Sequence, residues 1–434
     1  MKADVATAVG FAETMHREGG QMWGRVSGFR SEADTAEWVG ARFRTLGLRD
    51  VAVQTYPASA EFWWPERWEV RVLANPAFGA GSRDVVLESS VPVSRSAVPG
   101  GSLTAGIVYA GEAGSVSTEG VRGRIAIQHT RPSTGAYSER AKVRDSAAAL
   151  INAGAVAVLN WIEQAGNMHV YDFGGCGGPC FNIGGADGAF LKQAADAAKA
   201  RGLPAPEMRL SLTAGMRTGL SARNVIGVIP GASDEIVVVN AHLDSWFSGA
   251  GDNADGIAVM LALAKHFAQP ANRPARTLLF VGSGGHHSAG MNGPGNLVTM
   301  NRELLSKAVL VVNLEHLAQF QIDAVPAWAP HAGEEPKNFG VSNMSPFLVA
   351  LVQRAAQADG FVIRPEVTNS VPGDLGGYAP LNVARIQGIH SGPLYHTSGD
   401  VAASISEAGL VKAARFYAQV IGEAARAPLA QINP

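Results

Sequence analysis

Cysteine is scarce: two occur in 434 residues, Cys176 and Cys180, inside FGGCGGPCF. That excludes a disulfide scaffold, and a zinc knuckle would need more donors than this stretch offers. The pair reads either as two loop thiols or as a local disulfide suited to an oxidising compartment. An excess of charge of one sign is missing too, since 35 basic and 37 acidic residues leave a formal −2. No basic stripe with interleaved aromatics appears, so nucleic acid is not an expected partner. No apolar run reaches the ~18 residues of a membrane span. The N-terminus, MKADVATAVGF, has one lysine, then an acid, and no long apolar core, so it does not read as a secretory signal. The expected compartment is periplasmic or extracellular if a leader has been removed, and otherwise cytoplasmic.

What is present describes a folded globule. Hydrophobic residues are 47% and charged ones 17%, and a chain of this length divides into about two to three domains. Residues 33–48, ADTAEWVGARFRTLGL, predict an amphipathic helix, with Ala36, Val39, Phe43 and Leu46 at helical spacing. VAVQTY then alternates as a strand. Around residues 80–105 the text turns rich in Gly, Ser and Pro, which marks a boundary. Short β-like pieces follow (AGIVYA, GRIAIQH, AVAVLNW, MRLSLTA), separated by two Ala-rich helical stretches. From residue 222 the rhythm changes. NVIGVIPG, EIVVVNAHLD, TLLFVGSGG and AVLVVNLEH read as buried strands, and GIAVMLALAKHFA as a helix. Such alternation predicts an α/β sheet covered by helices, with functional groups at the carboxyl ends of its strands.

Those ends are where the polar residues gather. Eight of the eleven histidines fall between residues 242 and 396. VVVNAHLDS carries His242 and Asp244, GAGDNADG carries Asp252, GSGGHHSAG carries His286 and His287, VVNLEHLA carries Glu315 and His316, and LYHTSGD carries Tyr395 and His396. Any one of these alone is an ordinary capping or solvated group. Together they supply the imidazole nitrogens and carboxylate oxygens that suit zinc. The HExxH motif is absent, which excludes that class of zinc protease, and GAGDNADG lacks the spacing of a dinucleotide loop.

In order, AHLDS, GDNADG with Asp252 ten residues after His242, NLE and YHTSGD resemble the co-catalytic zinc exopeptidases. That family includes bacterial leucyl aminopeptidase, glutamate carboxypeptidase, glutaminyl cyclase and the non-enzymatic transferrin receptor. The resemblance implies a three-layer α/β/α zinc-aminopeptidase-like domain from residues 1–84 and 221–434. Residues 85–220 then resemble an inserted, β-rich protease-associated domain that roofs the site. It implies one zinc on His242, Asp252 and Glu315, and a second on Asp252, His287 and His396. Asp244 would orient His242, and Tyr395 would donate to the developing oxyanion. The departure is His286-His287, where the family usually has Glu-Glu, a general base followed by a ligand. His287 lies twenty-eight residues before Glu315, the separation expected between those two ligands. His286 then takes the place of the base or adds a second nitrogen donor, and the loss of one anionic donor weakens the second ion or favours a nitrogen-preferring one.

The function expected is metal-dependent hydrolysis of a peptide or related amide bond in a small-molecule or short peptide substrate. Two alternatives stay open: a cyclisation, lactone opening or lyase step on the same scaffold, or a homologue that binds without turnover. Trp63, Trp64, Trp246, Phe247 and Trp328 are candidates either for a pocket wall or for core packing. Within the insert, only His129 and His169 are candidate bases.

Overall fold

The computed structural model describes residues 1–79, 81–132, 136–171, 175–323 and 329–434. Two eight-stranded sheets organise the chain. The first runs in the spatial order Arg49–Pro57, Ser221–Ile229, Arg276–Ser283, Ser233–His242, Ala308–Leu314, Ala384–Ile389, Lys337–Val341 and Ile363–Thr368. Its four central strands, 276–283, 233–242, 308–314 and 384–389, are mutually parallel, and the strand next to them on either side, Ser221–Ile229 and Lys337–Val341, pairs antiparallel.

Strand alternation explains why this sheet is covered on both faces. In Ser233–His242, Val237 and Val239 enter a core built with helices Lys2–Arg17, Arg30–Thr45, Asp255–Phe267, Pro346–Asp359 and Glu407–Ala424. Ile236 and Val238 enter the opposite core, with Leu297, Leu305, Leu375 and Tyr378. Successive side chains of a strand point to opposite faces, so a run of Val and Ile buried on both sides yields three layers. Helix Pro346–Asp359 shows the local logic of its ends. Ser345 accepts from the Leu348 amide, proline occupies the first turn, and Gly360 closes it at φ +66°.

The second sheet runs Val85–Val86, Phe62–Val72, Glu207–Arg217, Ser102–Glu112, Ile125–Thr130, Ala157–Ile162, Cys180–Ile183 and Val91–Pro92. It takes up the β-like pieces of the middle block, with helices Ala136–Asn152 and Gly185–Ala200 between them. The first segment does not keep to one sheet, as a boundary at residue 84 would require. Phe62–Val72 pairs with Glu207–Arg217 in the second sheet, because its Trp64, Trp68, Val70 and Val72 are buried in that sheet's core. Cys176 and Cys180 are disulfide-bonded at the start of strand Cys180–Ile183. Among the described residues no helix is long and apolar enough to cross a membrane.

Candidate metal centre

Each candidate donor follows the carboxyl end of a parallel strand of the first sheet. His242 ends Ser233–His242, His286 and His287 follow Arg276–Ser283, Glu315 and His316 follow Ala308–Leu314, and His396 lies on the loop after Ala384–Ile389. Asp252 sits in the turn before helix Asp255–Phe267, joined to Asn253 by a cis peptide.

Asp252 is the hub. Its Oδ1 lies 3.2 Å from Nε2 of His242 and 3.2 Å from Nε2 of His316, and its Oδ2 lies 3.2 Å from Nε2 of His287 and 3.2 Å from Nε2 of His396. Glu315 Oε1 completes one side, 3.9 Å from His242 Nε2 and 3.7 Å from His316 Nε2. Burial pushes the Asp252 carboxyl up, but the charge of His287 and the close approach of the His242, His287 and His316 rings outweigh it and hold it well below the usual range. Nε2 of His242 is buried and has no hydrogen-bond partner.

Backbone contacts fix the donor loops. Asp244 accepts from the amides of His286 (3.2 Å) and His287 (2.8 Å), and its carbonyl oxygen lies 3.0 Å from His242 Nδ1. Asp400 accepts from the amides of Gly251 and Asp252, and Asp255 from those of Leu317 and Ala318. From the N-terminal segment, the buried Arg25 guanidinium donates to the carbonyls of Leu243, Ser248 and Gly249. Burial lowers its pKa to about 10, against the pull of Asp252, Asp400, Asp244 and Asp255. Gly285 turns at φ +77°, and a Cβ there would meet Met291 Cβ at 2.7 Å. That glycine is what lets the paired histidines leave the strand so sharply.

The adjacent histidines point in different directions. The His287 ring faces Asp252 and His396, with ring centroids 4.7 Å apart from the latter. His286 instead stacks on His242, its ring 4.1 Å away and nearly parallel. Its Nδ1 lies 2.8 Å from Asp374 Oδ1, and its Nε2 lies 3.7 Å from Glu315 Oε1. Asp374 Oδ2 is held in turn by Asn240 Nδ2 (2.9 Å) and Ser283 Oγ (2.7 Å). Burial lowers the His286 pKa, but Asp374 and Glu315 outweigh it and hold it well above 6.5. The same pairing holds Asp374 below its usual range despite burial. Asp374, within SVPGDLGGY, is the residue that sequence reasoning missed. It stands at the end of no apolar strand and lies 88 residues from His286. His316 was seen in the sequence, but only beside the ligand set.

Tyr395 stacks on His396 at 3.7 Å and lies 5.3 Å from the His316 ring. Both Tyr395 and His396 line a cleft of about 490 Å³, together with His286, His287, Met291, Asn292, Gly373, Asp374 and, from the second sheet's helix, Arg140. Another cleft of about 550 Å³, along Leu73–Pro76 and Pro204–Glu207, contains none of these residues. Trp63 and Trp64 pack inside the second core. Trp246 packs on Tyr171 at 4.4 Å and lies 6.4 Å from His287, Phe247 meets Trp23 at 5.5 Å, and Trp328 lies outside the described residues. His129 is taken by Tyr109 at 2.6 Å, and His169 by the Glu88 carbonyl at 3.0 Å.

Against known proteins, residues 224–421 match peptidase family M28. Human transferrin receptor protein 2 is 33% identical over 118 residues, which are 26% of this chain and 15% of the receptor. The glutamate carboxypeptidase 2 homolog of Caenorhabditis briggsae is 32% identical over 126 residues, 27% of this chain and 16% of that protein. The chain thus matches no more than 16% of the length of either relative. Among solved structures, a peptidase M28 precursor from Shewanella amazonensis superposes with a TM-score of 0.71 at 19% identity, over 97% of this chain and 93% of that one. The zinc aminopeptidase BSAP of Bacillus subtilis gives 0.62 at 20% identity, over 99% and 97%. At such identities the likeness is one of fold, and it extends across both sheets. The match to the peptidase family M28 model spans residues 224–421, the stretch in which the ordered donors lie.

Proposed function

We propose that this chain is a metal-dependent hydrolase of peptide or related amide bonds in which His286 replaces the usual carboxylate base. One observation carries the reading: four imidazole Nε2 atoms converge at 3.2 Å on the two oxygens of the buried Asp252 carboxylate. Donors sharing one ion at about 2 Å with tetrahedral angles lie about 3.3 Å apart, so the residues fit zinc. His242, Asp252 and Glu315 would hold one ion, and Asp252, His287 and His396 a second. A zinc there polarises a scissile carbonyl and acidifies water.

The chain's own groups supply the rest. Asp244 orients His242 through its carbonyl and sets the 286–287 turn through its carboxylate. Asp374, facing His286 Nδ1, keeps the hydrogen on that nitrogen and leaves Nε2 to take a proton from the attacking water and return it to the leaving amine. The carboxylates around His286 favour its charged form, and cations bound among them oppose that pull. Tyr395 donates to the oxyanion. The second sheet is read as a protease-associated insert of residues 85–220, with strand Phe62–Val72 added to it. Its helix residue Arg140 borders the same cleft, which suits a short peptide or small amide.

Metal analysis of the purified protein, beside a panel of aminoacyl, acyl-amino-acid and lactone substrates, tests this. Bound divalent metal and chelator-sensitive release of a free amine are expected. His286→Ala should keep its metal and lose turnover by about 10²-fold or more, the scale of a general base. Full activity of that variant on every wild-type substrate would remove His286 from the mechanism. A second reading, a metal-assisted reaction on a non-peptide substrate, is favoured by the imidazole standing where the family has a carboxylate. Turnover only of substrates that release no amine would decide for it, and a metal-loaded protein silent on the whole panel would point to a binding homologue.

A further inference from the structure

We infer that His316 is a fourth protein donor to the first metal position, so that this position is filled by the chain while the second keeps three donors. The inference rests on the metal-centre reading above and concerns a residue that reading leaves without a role.

His316 repeats the geometry of His242. Its Nδ1 contacts the backbone carbonyl of His390, as His242 Nδ1 contacts that of Asp244. In both, the carbonyl holds the ring hydrogen on Nδ1 and turns the Nε2 lone pair inward. In both, that Nε2 is buried and has no hydrogen-bond partner among the described residues. Both Nε2 atoms lie 3.2 Å from the same oxygen, Asp252 Oδ1, and both face Glu315 Oε1, at 3.9 Å for His242 and 3.7 Å for His316. The donor atoms of His242, Glu315 and His316 all fall within 4.8 Å of one another.

The backbone gives an independent reason. Neighbouring residues on extended chain point to opposite sides, so Glu315 and His316 would ordinarily diverge after the strand. His316 instead adopts φ +54°. That left-handed conformation is sterically disfavoured for a non-glycine residue. The step brings two successive side chains to one point, and the amides that follow it, Leu317 and Ala318, are locked by Asp255. A strained turn held from behind and aimed at a cluster of donors is what a ligand pair requires. The competing role is an imidazolium that merely neutralises Asp252. It predicts the opposite response to removal, because deleting a positive charge would leave metal binding unchanged or tighter.

Four protein donors complete the tetrahedron that zinc prefers in closed sites, whereas three leave a position open. The two positions should therefore differ in affinity, with the first the tighter. Titration of metal-free protein with Zn²⁺ and with Co²⁺ tests this by affinity and by the visible Co²⁺ spectrum. His316→Ala should weaken the tighter step by about 10²-fold or more, at or beyond the upper end of what outer groups contribute. It should also diminish the four-coordinate Co²⁺ band and leave the weaker step in place. His287→Ala should do the reverse. Unchanged affinities and spectrum in His316→Ala would overturn the inference, whereas a wild type that takes up no ion would overturn the metal-centre reading itself. X-ray absorption of wild type loaded with one equivalent of Zn²⁺ needs no variant. Two imidazoles on that zinc are expected, and one would refute the assignment even if His316→Ala fails to fold.

Discussion

Lys337 is fully buried, its Nζ has no hydrogen-bond partner, and it lies 5.3 Å from the Phe361 ring. Burial lowers its pKa from 10.5 to about 8, although Asp255, Glu334 and Glu335 pull it back up. The folded chain therefore holds this proton less readily than the unfolded one. Below pH 8 both states are protonated and burial costs the fold the full difference. Between about 8 and 10.5 the folded state releases the proton first and the penalty fades. Lys337→Met should raise unfolding free energy at pH 7 by on the order of 2 kcal/mol, with little gain left near pH 10.5 in parallel urea titrations. Asp374 contacts His286 Nδ1 at 2.8 Å, and on the proposed reading it positions that ring. Asp374→Asn should lower kcat by about 10²-fold while KM and metal content stay near wild type; a loss of metal instead would make it a support of the centre rather than of His286. In the sequence, His242, Asp252, His287, Glu315 and His396 were legible as candidates because each follows an apolar run or stands in an ordered motif. Asp374 and the inward turn of His316 were not. The first is set by a fold-level contact with His286, and the second by a backbone dihedral that no residue type announces.

Elements buried on one face or two were readable from their period. The helix expected over 33–48 occupies Arg30–Thr45. AGIVYA and MRLSLTA lie within strands, and GRIAIQH and AVAVLNW enter theirs two residues in, at Ile125 and Ala157. Less readable was Phe62–Val72, where Pro65 interrupts the run and the pairing register shifts beside it. Strand Ile363–Thr368 also escapes notice, since three consecutive residues of it are exposed. Close packing between elements leaves its own mark at Gly188 on helix Gly185–Ala200. A Cβ there would stand 2.0 Å from Trp161 Cδ1 on strand Ala157–Ile162. Gly188→Ala gains helix propensity but must push the helix off the strand, so a net loss of about 1–3 kcal/mol is expected. Thermal melts of the two proteins would measure it, and an unchanged or higher melting temperature would mean that the indole moves aside cheaply.

At the scale of the molecule, the segment that follows strand Ala157–Ile162 of the second sheet reaches the candidate centre. It grips the loop that carries Tyr395 and His396: Gln164 Nε2 donates to the Pro393 carbonyl at 2.7 Å, the Tyr171 amide to the His396 carbonyl at 3.0 Å, and the Ser398 amide to the His169 carbonyl at 3.0 Å. Gln164→Ala should thus loosen the second ion by about 10-fold with no donor altered, and leave the first ion's affinity as in wild type; equal weakening of both would show a general loss of fold instead. The shift of rhythm at residues 80–105 and 222 marked two units in the sequence, but the grip between them depends on carbonyls and amides that carry no sequence signature. Arg25 extends the same dependence to the chain's beginning, since its guanidinium closes on the carbonyls of Leu243, Ser248 and Gly249. Synthesis delivers that cation more than two hundred residues before the loop it will hold, and His396 only long afterwards. The centre consequently cannot close before His396 has been made, and the stretch that bears the donors takes part of its shape from a residue that emerged long before it.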